Sequence, residues 1–113
     1  LKASGGGKCN LTNTLSNEDF MEAFGINGKF MRDALNNFDS VQLIEFLNNI
    51  GVRTNCLDGF RVFPSSKKST TIIKAFEDSL KTLNVTVLCS TEVTQILSTN
   101  NQIVGLKTKT NIF

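Results

Sequence analysis

The sequence predicts an α+β chain, and three observations carry that prediction. Apolar residues recur at helical spacing around positions 40–50 and 67–83, short β-type runs surround turn residues at 52–64 and after 85, and glycine or asparagine marks most changes of period. A length of 113 residues fits one domain with a single modest core. The expected order is a glycine-rich loop at 1–15, a helical segment at 16–51, a short β-hairpin at 52–64, a long helix at 65–84 and β-strands at 85–113.

Each element has a local cause. Ser16 stands three residues before Asp19, a capping-box-like start for a short helix over Asn17–Phe24 that Gly25 stops. After Gly28, Phe30, Met31, Ala34 and Leu35 share one face of a helix over Lys29–Asn36. Asp39 caps a helix from Ser40 to Ile50, whose stripe of Val41, Leu43, Ile44, Phe46, Leu47 and Ile50 belongs to packing, and Gly51 ends it. Val52–Cys56 and Phe60–Phe63 are β-type runs around Leu57-Asp58-Gly59, and the Asp-Gly step signals a hairpin that Pro64 ends. Ser66 is the expected cap of a helix over Lys67–Leu83 with Ile73, Phe76, Leu80 and Leu83 inward, and with Lys74/Asp78 and Glu77/Lys81 as outward i,i+4 pairs. Val85–Leu88, Val93–Leu97 and Gln102–Lys107 read as strands, the last two joined at Asn100-Asn101, because asparagine tolerates the positive φ of a tight turn. The apolar end, Ile112-Phe113, reads as a strand or loop that continues.

Composition removes several function classes. With 40% hydrophobic and 19% charged residues the chain is globular rather than disordered, and a net charge of +2 is too small to argue for nucleic acid or a membrane surface. The Lys67-Lys68 pair reads as solvated surface at a helix start. Three widely spaced cysteines, Cys9, Cys56 and Cys89, argue against a disulfide framework and for a reducing, cytoplasmic compartment. No histidine and no C-x-x-C pair are present, so no metal site is expected. No apolar run approaches the ~18–20 residues needed to cross a bilayer. Without His or Tyr no Ser-His or Cys-His pair can be drawn, and no carboxylate couple is evident, so catalytic residues stay unassigned.

The Ser4–Asn13 loop is where the chain most resembles a binding element. Three consecutive glycines accept positive φ and clear side chains from the backbone N–H groups, and Lys8, Cys9, Asn10 and Thr12 then supply a cation, a thiol, an amide and a hydroxyl. That set suits an anionic ligand such as a phosphate. A glycine cluster also reads as a flexible linker, but Asn and Thr with one interposed Leu, rather than a Gly/Ser repeat, tip the balance toward a ligand. Walker A fails twice, with Lys2 where its first glycine belongs and Cys9 where Ser or Thr should follow the lysine. The G-x-G-x-x-G fingerprint fails at Asn10, and no strand has room to precede it.

The run Ser4-Gly5-Gly6-Gly7-Lys8-Cys9-Asn10-Leu11-Thr12-Asn13, with Lys2 ahead of it, resembles the S-G-G-G-R-C-N-x-T-N segment of the HI0933-like flavoproteins, a bacterial family of FAD-dependent oxidoreductases that includes the BaiN/YhiN-type proteins. Gly59-Phe60-Arg61-Val62-Phe63-Pro64-Ser65-Ser66 is similar to the family's G-x-R-V-F-P-x-S block, and Asn84–Val87 with Glu92–Ile96 is similar to the strand pair that follows. Lys8 stands where the family has Arg, which keeps the charge and loses the planar fork.

The resemblance implies a fragment of an α/β, FAD/NAD(P)-binding, Rossmann-like flavoprotein: a single partial domain without the dinucleotide fingerprint, completed by the remainder of the parent. It implies FAD as cofactor, bound weakly or not at all by the fragment alone, and it admits NAD(P)H as co-substrate beside an unknown small-molecule substrate. Ser4, Gly5, Gly6, Gly7, Lys8, Cys9, Asn10 and Thr12 map onto the loop along the cofactor, and Val93 onto a strand whose backbone meets the adenine edge. Cys9 is either a reactive thiol or a small residue packed beside the cofactor, with packing preferred. Arg61 either faces the substrate or nicotinamide, or ion-pairs on its hairpin, and both readings stay open. The rival functions are a non-catalytic binding or interaction module that has lost the cofactor, and an unrelated phosphate-binding domain.

Overall fold

In a computed structural model, residue 1 and residues 3–113 are described. Lys2, which precedes the glycine run, lies outside them. The glycine run forms a 3₁₀ turn over Ser4–Gly7 that leads into a two-residue strand β1, Thr12–Asn13. Helix α1 follows over Asn17–Ala23, where the Ser16 hydroxyl accepts from Asp19 N–H, as the capping pattern requires. A 3₁₀ segment, Gly25–Met31, leads into the short helix α2, Arg32–Asn37. Gly28 is buried against the Met21 carbonyl, where a Cβ would collide, so α1 and the 3₁₀ segment approach this closely only through a glycine.

Helix α3, Ser40–Asn49, begins with a complete capping box: Asp39 accepts from Gln42 N–H at 2.8 Å, and Gln42 accepts from Asp39 N–H at 2.9 Å. Strands β2, Thr54–Asn55, and β3, Arg61–Pro64, form the expected hairpin, in the register Thr54 opposite Pro64 and Asn55 opposite Phe63. The sequence did not foresee the other edge: β1 pairs antiparallel with β3, Thr12 opposite Val62 and Asn13 opposite Arg61, giving the sheet order β1-β3-β2. Flanking bonds from Leu11 N–H to Val62 O at 2.8 Å and from Thr14 N–H to Phe60 O at 3.0 Å extend that pairing. The glycine loop is thereby tied directly to the Arg61–Pro64 strand.

The core is small. Cys9, Leu47, Val52 and Ile72 are its buried cluster, with Leu11, Leu43, Ile50 and Ala75 packed around them. Helix α4, Ser69–Thr82, contributes Ile72. The last two strands, β4 at Val93–Thr99 and β5 at Gln102–Thr108, make an antiparallel ribbon turning at Asn100 and Asn101, both at positive φ (51° and 61°). Beyond it, Phe113 exchanges backbone hydrogen bonds with Leu106 at 2.8 and 2.9 Å, so the chain folds back along β5. The ribbon packs chiefly on itself, and the radius of gyration is 18.1 Å, against roughly 13 Å for a compact domain of this length.

Six expectations need correction. Val85–Leu88 forms no strand: the Val85 N–H turns back to Leu80 O at 2.9 Å at the end of α4, no described strand pairs with the segment, and β propensity without a neighbouring strand fixes nothing. Helix α4 starts at Ser69 rather than Lys67, because Lys67 takes φ 54° and closes a turn from its N–H to Pro64 O at 2.8 Å. The Ser66 hydroxyl meets Thr71 Oγ1 at 2.7 Å, and the helix N-cap is Lys68, without a side-chain hydrogen bond. The inward face of α4 carries Ser69 and Ile72, one position back from the expected Ile73 row, while Phe76 and Leu83 are exposed. Of the outward pairs, Lys74–Asp78 forms at 2.7 Å, and Glu77 with Lys81 makes no ion pair among the described residues. Finally, the broad stripe of α3 is only partly used: Leu47 is buried, whereas Val41 is 58% exposed and Phe46 packs at the edge between Phe38 and Phe76.

Candidate functional site

The backbone of the glycine loop is left-handed at its centre, with Gly5 at φ 56°, ψ 35° and Gly6 at φ 61°, ψ 37°. At Gly5 the need for glycine is double, because a Cβ would stand 2.9 Å from Asn10 N and 3.4 Å from Phe63 Cε1. The loop closes through Lys8 N–H to Gly5 O at 3.2 Å and Cys9 N–H to Ser4 O at 3.1 Å. Cys9, itself at φ 62°, then points its side chain into the core and is 2% exposed. Buried with Leu47, Val52 and Ile72, the thiol is a core anchor, not a residue packed beside the cleft. Burying Cys9 turns Lys8 and Asn10 outward, and both are exposed.

Those outward groups open on a cleft of about 360 Å³ between the loop and the β2–β3 hairpin. Gly5, Lys8 and Asn10 line one side, and Asn55, Arg61 and Phe63 line the other. Lys67 completes the rim, placed there by its left-handed backbone after the buried Pro64. Asp58 is the carboxylate of the cleft and is fully engaged: Oδ1 accepts from the backbone N–H of Arg61 at 2.7 Å and of Phe60 at 3.1 Å, and Oδ2 accepts from Arg61 Nε at 2.6 Å. These hydrogen bonds, the Arg61 backbone bond first, lower the Asp58 pKa from 3.8 to about 2. The Arg61 guanidinium also lies over the Phe63 ring, 5.9 Å from its centroid. Arg61 is therefore both the hairpin's ion-pair partner and a wall of the cleft, and Asp58 fixes its position.

Charge in the cleft does not balance. Asp58 offsets Arg61, while Lys8 and Lys67 make no ion pair among the described residues. Two spare positive charges and an exposed asparagine amide around a small concave surface are suited to a polyanion. The same described residues hold no cluster of His, Cys, Asp and Glu able to bind a metal.

Of the residues the sequence assigned to a cofactor, Gly5, Lys8 and Asn10 meet in this cleft together with Arg61. The others are placed elsewhere. Ser4 donates its hydroxyl to Leu1 O at 2.8 Å, Gly6 and Gly7 shape the turn without lining the cleft, and Cys9 is in the core. Thr12 lies in β1 and faces a separate pocket of about 160 Å³, and Val93 opens β4 in the ribbon, 49% exposed. Asn55, Phe63 and Lys67 were missed. The alternation of the hairpin could have found Phe63, since Arg61 and Phe63 share a face; Lys67 carried no such signal, because its placement depends on a turn that delays the helix.

Comparison with known families agrees with the sequence motifs. A family model described as HI0933-like protein Rossmann domain matches residues 1–113.

Proposed function

We propose a function from one premise: the chain belongs to the HI0933-like Rossmann-domain family, which is associated with dinucleotide-binding flavoproteins. Among the described residues no helix is long and apolar enough to cross a membrane.

We propose that this chain supplies one wall of the FAD site of an FAD-dependent oxidoreductase. The observation that carries the proposal is the convergence of the left-handed Gly5 turn, Lys8 and Asn10 on a single cationic cleft closed by Arg61. The residues fit the phosphate-bearing middle of a dinucleotide: the spare charge of Lys8 and Lys67 offsets phosphate, and the exposed Asn10 amide stands beside them as a donor. The cleft holds only part of such a cofactor, and the remainder of the parent protein encloses the rest. When bound, the isoalloxazine ring supplies the redox chemistry, with NAD(P)H as its reductant. The chain's own residues bind and orient: Lys8 and Asn10 hold the polar middle of the cofactor, and Asp58 keeps Arg61 against Phe63 so that the wall is rigid.

The test is spectroscopic. Full-length protein carrying this chain is expected to be yellow, with oxidised-flavin absorbance near ~450 nm. Colourless protein that takes up no FAD on titration would exclude this function.

A further inference from the structure

The second spare cation of the cleft, Lys67, stands outside every motif that pointed to a cofactor. Sequence reasoning placed it on a solvated helix start, yet the structure sets it on the rim of the Gly5–Asn10 cleft. It gets there by a costly route. Lys67 adopts φ 54°, a region that favours glycine or asparagine, and its N–H is tied to Pro64 O at 2.8 Å, with Pro64 buried beneath the turn. A lysine in that conformation is exposed and has neither an ion pair nor a side-chain hydrogen bond among the described residues. Its neighbour Lys68 is not part of the cleft lining.

We infer that Lys8 and Lys67 form a two-lysine clamp for a diphosphate, Lys8 from the glycine loop and Lys67 from the turn before α4. Arg61 cannot take this role by its Nε, which Asp58 occupies at 2.6 Å. The remaining positive charge of the cleft therefore comes from two lysines on separate chain segments, and a ligand with two adjacent anionic groups offers each of them a partner. The inference rests on the cofactor reading above but is narrower: it concerns the diphosphate group, which FAD, a nicotinamide dinucleotide and a free nucleoside diphosphate share.

The test uses full-length protein and calorimetric titration with inorganic pyrophosphate, ADP, FAD and adenosine. Lys67→Asn removes the charge and suits the left-handed backbone, so this variant is expected to fold at least as well as the parent. Lys67→Arg keeps the charge, and Lys68→Asn is the neighbouring control. For pyrophosphate and ADP, Lys67→Asn is expected to weaken binding by about tenfold, the scale of one lost charge-assisted hydrogen bond, with Lys67→Arg and Lys68→Asn near the parent and adenosine not binding. FAD weakened in the same proportion identifies the cofactor as the source of the diphosphate. Pyrophosphate binding without FAD uptake supports the clamp and overturns the flavin function, whereas FAD uptake unchanged by Lys67→Asn overturns the clamp and leaves the flavin function standing. Equal loss in Lys67→Asn and Lys68→Asn, or no binding of any diphosphate, also overturns the clamp.

Discussion

Adding one carbon at Gly5, and separately at Gly6, divides the backbone requirement of the loop from its steric requirement. Both glycines sit in the left-handed region, at φ 56° and 61°, so alanine at either position carries a similar conformational cost, about 1 kcal/mol. Their surroundings differ. A Cβ at Gly6 meets nothing within 4 Å, whereas at Gly5 it meets the backbone nitrogen of Asn10 at 2.9 Å and the Phe63 ring at 3.4 Å. Backbone cannot swing aside as a flexible side chain can, and Asn10 lies between the buried Cys9 and Leu11, whose N–H bonds Val62 O. Relief of the contact therefore disturbs the core anchor or the β1–β3 pairing, which adds roughly 1–3 kcal/mol of the overpacking kind. Gly6→Ala is expected to lose about 1 kcal/mol, and Gly5→Ala about 2–4 kcal/mol. Urea unfolding of the full-length protein, read as a midpoint shift at constant slope, measures both. Equal losses at the two positions would refute the close approach of the loop to Asn10.

Gly28→Ala places a methyl group against the Met21 carbonyl, so the α1 region should open, visible as faster amide exchange over residues 17–31 even where the core remains protected. Leu47→Ala removes the most enclosed side chain of α3, 1% exposed, and should lower unfolding free energy by about 2–5 kcal/mol in a denaturant titration. Asp58 has a folded-state pKa of about 2, below its ordinary 3.8, so it contributes stability that is present above pH 3.8 and is lost as pH falls through about 2. Asp58→Asn should flatten the acid limb of the stability profile between those values. A carboxyl titration by NMR with a midpoint at 3.8 would contradict the observed Asp58–Arg61 geometry.

Much of the secondary structure was legible because its causes lie within three or four residues. Ser16 with Asp19, Asp39 with Gln42, Asn100-Asn101 and the Lys74–Asp78 pair each satisfy local chemistry that the sequence shows directly. Val85–Leu88 was misleading for the opposite reason, since a run of β-branched residues states a preference that only a partner strand can fix. The site was half legible. Gly5, Lys8, Asn10 and Arg61 came from motifs, but their meeting required the pairing of Thr12 with Val62 across about fifty positions of chain, a contact no local pattern encodes.

Local sequence was enough to identify the family, the helix starts at Asn17 and Ser40, both hairpins and the cationic character of the glycine loop. Tertiary structure alone decided that Cys9 is a core residue, that Ile72 rather than Ile73 faces that core, and that Lys67 turns from a surface charge into the rim of a cleft. The physical reason is the same in all three. Capping and turn formation are settled by hydrogen bonds between near neighbours, whereas which side of a residue is inside depends on what a distant segment brings against it.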